Sequence, residues 1–197
     1  MELSPTAEQQ ALKDAVERFC QEQITPERLQ AWEKEPRGID IAAWRAIADL
    51  GWFGLGIPEA RGGSGRGLVD VGCLLQECAR GLVPRSVINA IRAGWALARL
   101  DPDAPELEAI GRGEHVVALA LDEQHASQPD HFRTAIEGAG NAARVTGEKW
   151  FVANGVSADS YVVAAREANR LSLVLVAGAA AERRAMRAFD NEEQAAV

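Results

Sequence analysis

The chain is poor in cysteine, lysine, histidine and tyrosine, and it has no long apolar run. Its three cysteines, Cys20, Cys73 and Cys78, are an odd number without metal-ligand spacing, which argues against a disulfide framework and fits a reducing compartment. Three lysines and 18 arginines against 29 acidic residues leave a net charge of −8, which speaks against a broad nucleic-acid surface. The longest apolar stretches, Val116 to Leu121 and Leu171 to Ala181, fall short of the roughly 20 residues of a spanning helix, so no membrane span is expected. No basic stretch leads into an apolar one at the start, so secretion is not expected and the sequence reads as cytoplasmic. What is abundant is alanine, 36 of 197 residues, a bias that points to a GC-rich genome more than to chemistry. At this length roughly 70% of the unfolded surface can be buried, so neither disulfide nor metal is needed for stability.

The first 112 residues carry helical periodicity. Leu12, Val16, Phe19 and Cys20 fall on one face, behind a cap at Ser4 or Thr6 and before the boundary at Pro26. Asp40 is positioned to cap a helix through Trp44, Ile47 and Leu50, with Gly51 supplying the left-handed residue that ends it. Leu68 to Arg80 and Ser86 to Leu100 read as two more helices, followed by a short one from Ala104 to Ile110. The period then changes. His115–Leu121, Trp150–Ala153, Ser160–Ala165 and Leu171–Val176 read as strands, and Phe132–Glu137 with Ala142–Glu148 as a hairpin around Gly138 to Asn141. The expected layout is therefore α+β: an all-helical domain over 1–112, then an antiparallel, barrel-like β domain over 113–197. The stretch from Ala179 to Val197 holds a further strand or helix but closes no pattern, so the β domain is expected to be incomplete.

Three segments invite chemistry. The glycines from Gly51 to Gly67 suggest a phosphate cradle. No strand precedes them and no Lys-Ser/Thr pair follows, so a tight irregular loop with several positive φ angles is expected instead. Asp122, Glu123 and His125, with Asp130 and His131 nearby, offer metal-ligand types without metal-ligand spacing; solvated loop polars are expected, and no metal site. Cys73 and Cys78 read as small core residues rather than as nucleophiles. Trp44, Trp52 and Trp95 read as core fillers. Trp150 and Phe151 are expected on opposite faces of a strand, one inward and one free to line a flat ligand.

The order of these segments resembles the acyl-CoA dehydrogenase family. Leu50-Gly51-Trp52-Phe53-Gly54-Leu55, continuing through Ile57-Pro58-Glu59 to Gly62-Gly63-Ser64-Gly65, is similar to the signature LGWxGLxxPExxGGSG. Thr146 to Gly155, followed by Ala158-Asp159 and Val162 to Arg166, is similar to NGxKxWITNGxxADxxxVxAR. Together the matches span nearly the whole chain. The resemblance implies a helical N-terminal domain and a β middle domain, with the C-terminal helical domain of the family absent. It implies FAD, an acyl-CoA substrate, an electron-transfer flavoprotein or similar acceptor, and a homo- or hetero-oligomer active in fatty acid or steroid catabolism. The family's catalytic glutamate lies in the absent domain, so no catalytic residue is assigned here and this chain alone is expected to be inactive. For cofactor binding the resemblance points to Leu121, Asp122 and Gln128 on one segment and Phe151, Val152 and Ala153 on another. Phe151 to Ala153 would face the isoalloxazine, and Gln128 the pyrophosphate or the CoA entry. Asp122 stands where a threonine or serine is usual, and Ala153 offers no hydroxyl where the family has one. Such departures resemble divergent members, including subunits of heteromeric enzymes acting on steroid side-chain CoA esters. A non-catalytic partner subunit with weakened FAD binding is the alternative.

Overall fold

Local caps and one apolar stripe per helix account for the first half of the molecule. The computed structural model describes residues 4–197 except 127, 139–142, 169 and 188–192, and the chain divides into two units, Met1–His115 and Val116–Val197. Helix α1 (Ala7–Gln23) opens on Thr6, whose hydroxyl accepts from the Gln9 N–H while the Gln9 side chain accepts from the Thr6 N–H. It buries Val16, Phe19 and Cys20 against α4 (Leu68–Arg80), which contributes Val71, Leu74 and Cys78. Polar links reinforce this pair: Gln9 Nε2 donates to Asp70 at 2.9 Å, and Lys13 lies 3.2 Å from the buried carboxylate of Glu77. Helix α2 (Pro26–Trp32) is not evident from the sequence pattern. Pro26 reads as a breaker, yet it stands in the first turn, where a missing N–H costs nothing. Asp40 caps α3 (Ile41–Asp49) by accepting from the Ala43 N–H at 2.7 Å, and also accepts from the Trp32 indole at 2.6 Å, tying α2 to α3. Gly51, at φ +75°, ends α3 as expected. Helices α5 (Arg85–Leu100) and α6 (Glu106–Gly111) complete the unit. Trp44 and Trp52 fill its core, Trp44 tilted against Phe53 at 4.6 Å and Trp52 edge-to-face with Phe19 at 5.0 Å. Among the described residues, no helix is long and apolar enough to cross a membrane.

The glycine-rich loop is stitched to itself. Ser64 N–H donates to the Gly54 carbonyl, Gly65 N–H to Ile57 and Arg66 N–H to Leu55, at 2.8–3.0 Å. A Cβ at Gly63 would run into the Ile57 carbonyl, so close backbone approach, not anion binding, requires glycine there. The amides a phosphate would need are already engaged.

The second unit holds β1 (Val117–Ala120), β2 (Ala135–Glu137), β3 (Arg144–Thr146), β4 (Val152–Ala153), β5 (Ser160–Glu167), β6 (Arg170–Ala177), β7 (Arg184–Arg187) and β8 (Glu193–Ala196). One sheet runs β1-β5-β2-β3 with β6 also paired to β5, and a second runs β4-β8-β7. The hairpin β2–β3 pairs Ala135 with Thr146, and its turn lies largely outside the described residues. The expected antiparallel sheet is corrected: β5 runs parallel to β1 and to β2, so the larger sheet is mixed, and no closed barrel is shown. The reason is chain length between partners. A hairpin joins antiparallel neighbours, but the long excursion from β1 to β5 allows a return in the same direction. Strand β5 is buried from Ser160 to Ala165 without alternation, the mark of a strand covered on both faces. The core beneath it gathers Ala118, Ala120, Val152, Ala158, Tyr161 and Val163, and the Tyr161 hydroxyl donates to the Gly155 carbonyl at 2.6 Å. The C-terminal stretch forms two antiparallel strands, β7 and β8, where the sequence leaves strand or helix open.

Candidate cofactor site

Two short segments meet in the second unit. The first continues from β1 through Leu121, Asp122 and Glu123; the second runs through Lys149, Trp150 and Phe151 into β4. The Trp150 N–H donates to the Asp122 carbonyl at 2.9 Å. On its other side the same segment exchanges two bonds with Val197: Lys149 N–H to the Val197 carbonyl at 2.7 Å and Val197 N–H to the Lys149 carbonyl at 2.8 Å. The Lys149 side chain, 2% exposed, crosses back to the first segment. Its ammonium donates to the Leu121 carbonyl at 3.0 Å and to Glu123 Oε1 at 3.2 Å, and sits 3.9 Å from the Phe132 ring centre.

Glu123 is the hub of this junction rather than the solvated loop polar that the sequence suggests. Its carboxylate accepts from the Arg133 N–H at 2.9 Å, the Thr134 N–H at 2.9 Å and the Thr134 hydroxyl at 2.7 Å, besides Lys149. Burial pushes its pKa up, but the backbone donors of Arg133 and Thr134, the Thr134 hydroxyl and the Lys149 ammonium outweigh that, and it falls to about 2. Burial likewise pulls Lys149 below its ordinary value, against the opposing pull of Glu123 and Asp122. The result is an ionised carboxylate with its donors satisfied and a buried cation with two acceptors. Sequence patterning points to neither Glu123 nor Lys149 as part of a cofactor site. The available signal is scarcity: Lys149 is one of three lysines, inside the second signature-like segment.

Of the six residues named for cofactor binding, five lie on these two segments. Leu121 is 38% exposed and Asp122 is exposed. Phe151 is 54% exposed and stands just before β4 at φ +57°, so strand alternation does not govern it. Trp150 is half-buried beside it, ring centres 6.1 Å apart, under the Arg184 guanidinium at 4.9 Å. Val152 is 1% exposed and packs in the core, so it offers a ligand only its backbone. Ala153 is half-buried in β4 opposite Gln194. Gln128, exposed, opens the turn Pro129–His131 and is not brought to the other five by these bonds. Two cavities flank the junction. One of about 730 Å³ is lined by Ala120, Tyr161, Val163 and Val176 inside and by Arg183 and Arg184 at its rim. The other, about 430 Å³, borders Glu123, His125, His131, Arg133 and Trp150.

Two buried thiols of the helical unit, Cys20 and Cys78, are chemically quiet. Burial and then the nearby Glu77 carboxylate push Cys20 up to about 11, and burial raises Cys78 as well, so both stay protonated at neutral pH.

Known proteins resemble the chain in sequence and fold. Residues 6–100 match the family described as acyl-CoA dehydrogenase, N-terminal domain. Over 130 residues, 65% of this chain, it is 32% identical to acyl-CoA dehydrogenase IpdE2 of Mycobacterium tuberculosis, covering 41% of that protein. Over 182 residues, 89% of this chain, it is 29% identical to benzylmalonyl-CoA dehydrogenase of Aromatoleum aromaticum, covering 48% of that protein. Among solved structures, a variant of the Tcur3481-Tcur3483 steroid ACAD superposes with a TM-score of 0.86 at 25% identity, covering 96% of this chain and 54% of the other. The chain spans about half the length of the curated relatives it matches. The helical unit thus matches the N-terminal domain of the acyl-CoA dehydrogenase family over residues 6–100, and relatives bearing acyl-CoA dehydrogenase names align across both units.

Proposed function

We propose that this chain supplies the N-terminal helical domain, 1–112, and the β middle domain, 113–197, of an FAD-dependent acyl-CoA dehydrogenase-like oxidoreductase. The reaction is the α,β-dehydrogenation of an acyl-CoA thioester. The observation that carries the reading is Phe151: an aromatic ring more than half exposed, on a segment bonded to the Leu121–Asp122 segment. An isoalloxazine is flat, apolar at its centre and rimmed by hydrogen-bonding atoms. An exposed aromatic face beside an exposed leucine and a strand end fits such a group. Bound there, the flavin supplies the hydride acceptor. Phe151 and Leu121 cover its ring system, and Asp122, Val152 and Ala153 offer backbone groups to its edge. Gln128 serves the pyrophosphate or the CoA entry. No residue of these two units is assigned as the base. An electron-transfer flavoprotein or a similar acceptor would be the redox partner, and the working assembly would be a homo- or hetero-oligomer.

A second reading, a partner subunit that keeps the fold but holds flavin weakly, is favoured by one observation. Ala153 sits half-buried where the family's signature carries a hydroxyl. One lost neutral hydrogen bond costs about 1 kcal/mol, several-fold in affinity. Flavin titration, of the chain alone and beside a second subunit, separates the readings. The first predicts FAD binding that Ala153→Thr tightens up to about tenfold. The second predicts weak or no FAD binding until another subunit is added, and an Ala153→Thr variant without effect on FAD puts both assignments of that position in doubt.

A further inference from the structure

Phe151 is held in a conformation that its own chemistry disfavours. Its φ of +57° is left-handed, which strains a residue bearing a Cβ. With 54% of its surface exposed, packing of its ring is not what holds it there. The restraints lie on either side. After Phe151, Val152 is buried and its carbonyl accepts from the Gly155 N–H at 3.0 Å. Before it, Lys149 and Trp150 are bonded through their backbones to Val197 and Asp122, and the Lys149 ammonium reaches over to Leu121 and Glu123. The Arg184–Glu148 pair near this segment, at 3.1 Å, is exposed at both ends and so contributes little. The Lys149 ammonium, on a side chain 2% exposed, has little solvent competition.

We propose that Lys149 is a positioning residue: its ammonium, bonded to the Leu121 carbonyl and the Glu123 carboxylate, locks the two segments together and thereby keeps Phe151 left-handed with its ring outward. The link runs through geometry rather than touch, since Lys149 bonds to the first segment and Phe151 presents the face. The consequence for a flavin rests on the function proposed above; the effect on Phe151 does not. A merely structural lysine would add stability to the unit and leave the Phe151 backbone unchanged.

The test is backbone NMR of the full 197-residue chain as wild type, Lys149→Met and Lys149→Arg, with FAD titrated into each. In the wild type, the Phe151 carbon shifts and amide coupling report a left-handed residue. Lys149→Met loses that signature and weakens FAD binding about tenfold, whereas Lys149→Arg, which keeps the cation, restores both at least in part. A Phe151 signature unchanged in Lys149→Met overturns the proposal, whatever the change in melting temperature. A signature that depends on Lys149 in a chain that binds no FAD upholds the positioning role and defeats the flavin reading instead. Should Lys149→Met not fold, Glu123→Gln carries the same comparison. The wild type alone supplies a third: a cation buried between two acceptors gives a slowly exchanging ammonium signal, and its absence overturns the proposal.

Discussion

Glu123 shows how far a residue's role depends on partners that sequence spacing does not reveal. Beside Asp122 and His125 it reads as one more polar loop residue, yet the fold aims the amides of Arg133 and Thr134 at it. Its carboxyl drops from an ordinary 4.5 to about 2 in the folded chain. The sign follows directly. A lowered folded pKa stabilises the protein above the unfolded value, fully present above about pH 5, and is lost as pH falls through 4.5 toward 2. The contribution is roughly 3 kcal/mol from the size of that shift. Glu123→Gln places an amide NH₂ among donors and leaves Lys149 without its counter-charge. Urea unfolding at pH 7 is expected to show a loss of about 3 kcal/mol, and the variant's stability should then be flatter between pH 5 and 2.5. An unchanged acid limb would show that other carboxylates govern it. Trp150 and Phe151 make the complementary point. Alternation anticipates one ring inward and one outward, and the outward ring is there, but by a left-handed backbone at Phe151 that no hydrophobic pattern encodes.

At the scale of elements, whatever rests on local signals is legible in the sequence. The Thr6 and Asp40 caps, the Gly51 stop, and helices α4 and α5 follow from residues within one or two turns of each other. Helix α2 escapes such a reading because Pro26 can end one helix and begin the next. The parallel pairing of β5 with β1 and β2 escapes it because strand direction is set by long connections, not by composition. Strand β6 turns Leu171, Leu173 and Leu175 to the exposed side, the reverse of what hydropathy suggests. Glycine supplies a test at this scale. Gly72 lies in α4, where a Cβ would meet nothing within 4 Å, whereas a Cβ at Gly63 meets the Ile57 carbonyl. Gly72→Ala should therefore stabilise by about 0.5–1 kcal/mol. Gly63→Ala should destabilise by about 2 kcal/mol or more through a forced backbone shift. Urea midpoints decide; equal effects would mean that the loop's stitching does not matter.

At the scale of the whole molecule, the helical unit carries the family's N-terminal domain and the β unit carries the two segments on which a flavin reading rests. The two signature-like stretches are recognisable from sequence alone because each is contiguous. The junction that joins Leu121–Asp122 to Phe151–Ala153 is not, since the Trp150–Asp122 backbone bond and the buried Lys149 bridge residues far apart in sequence. The chain spans about half the length of its curated relatives, and what is proposed for it is a flavin-facing surface. That proposal is tested most directly by titrating FAD into the purified chain and into Phe151→Ala, following flavin fluorescence. Saturable binding is expected for the wild type, weakened about tenfold without the ring, with the melting temperature little changed because Phe151 is exposed. Binding of equal strength in both proteins, or none in the wild type, would contradict it.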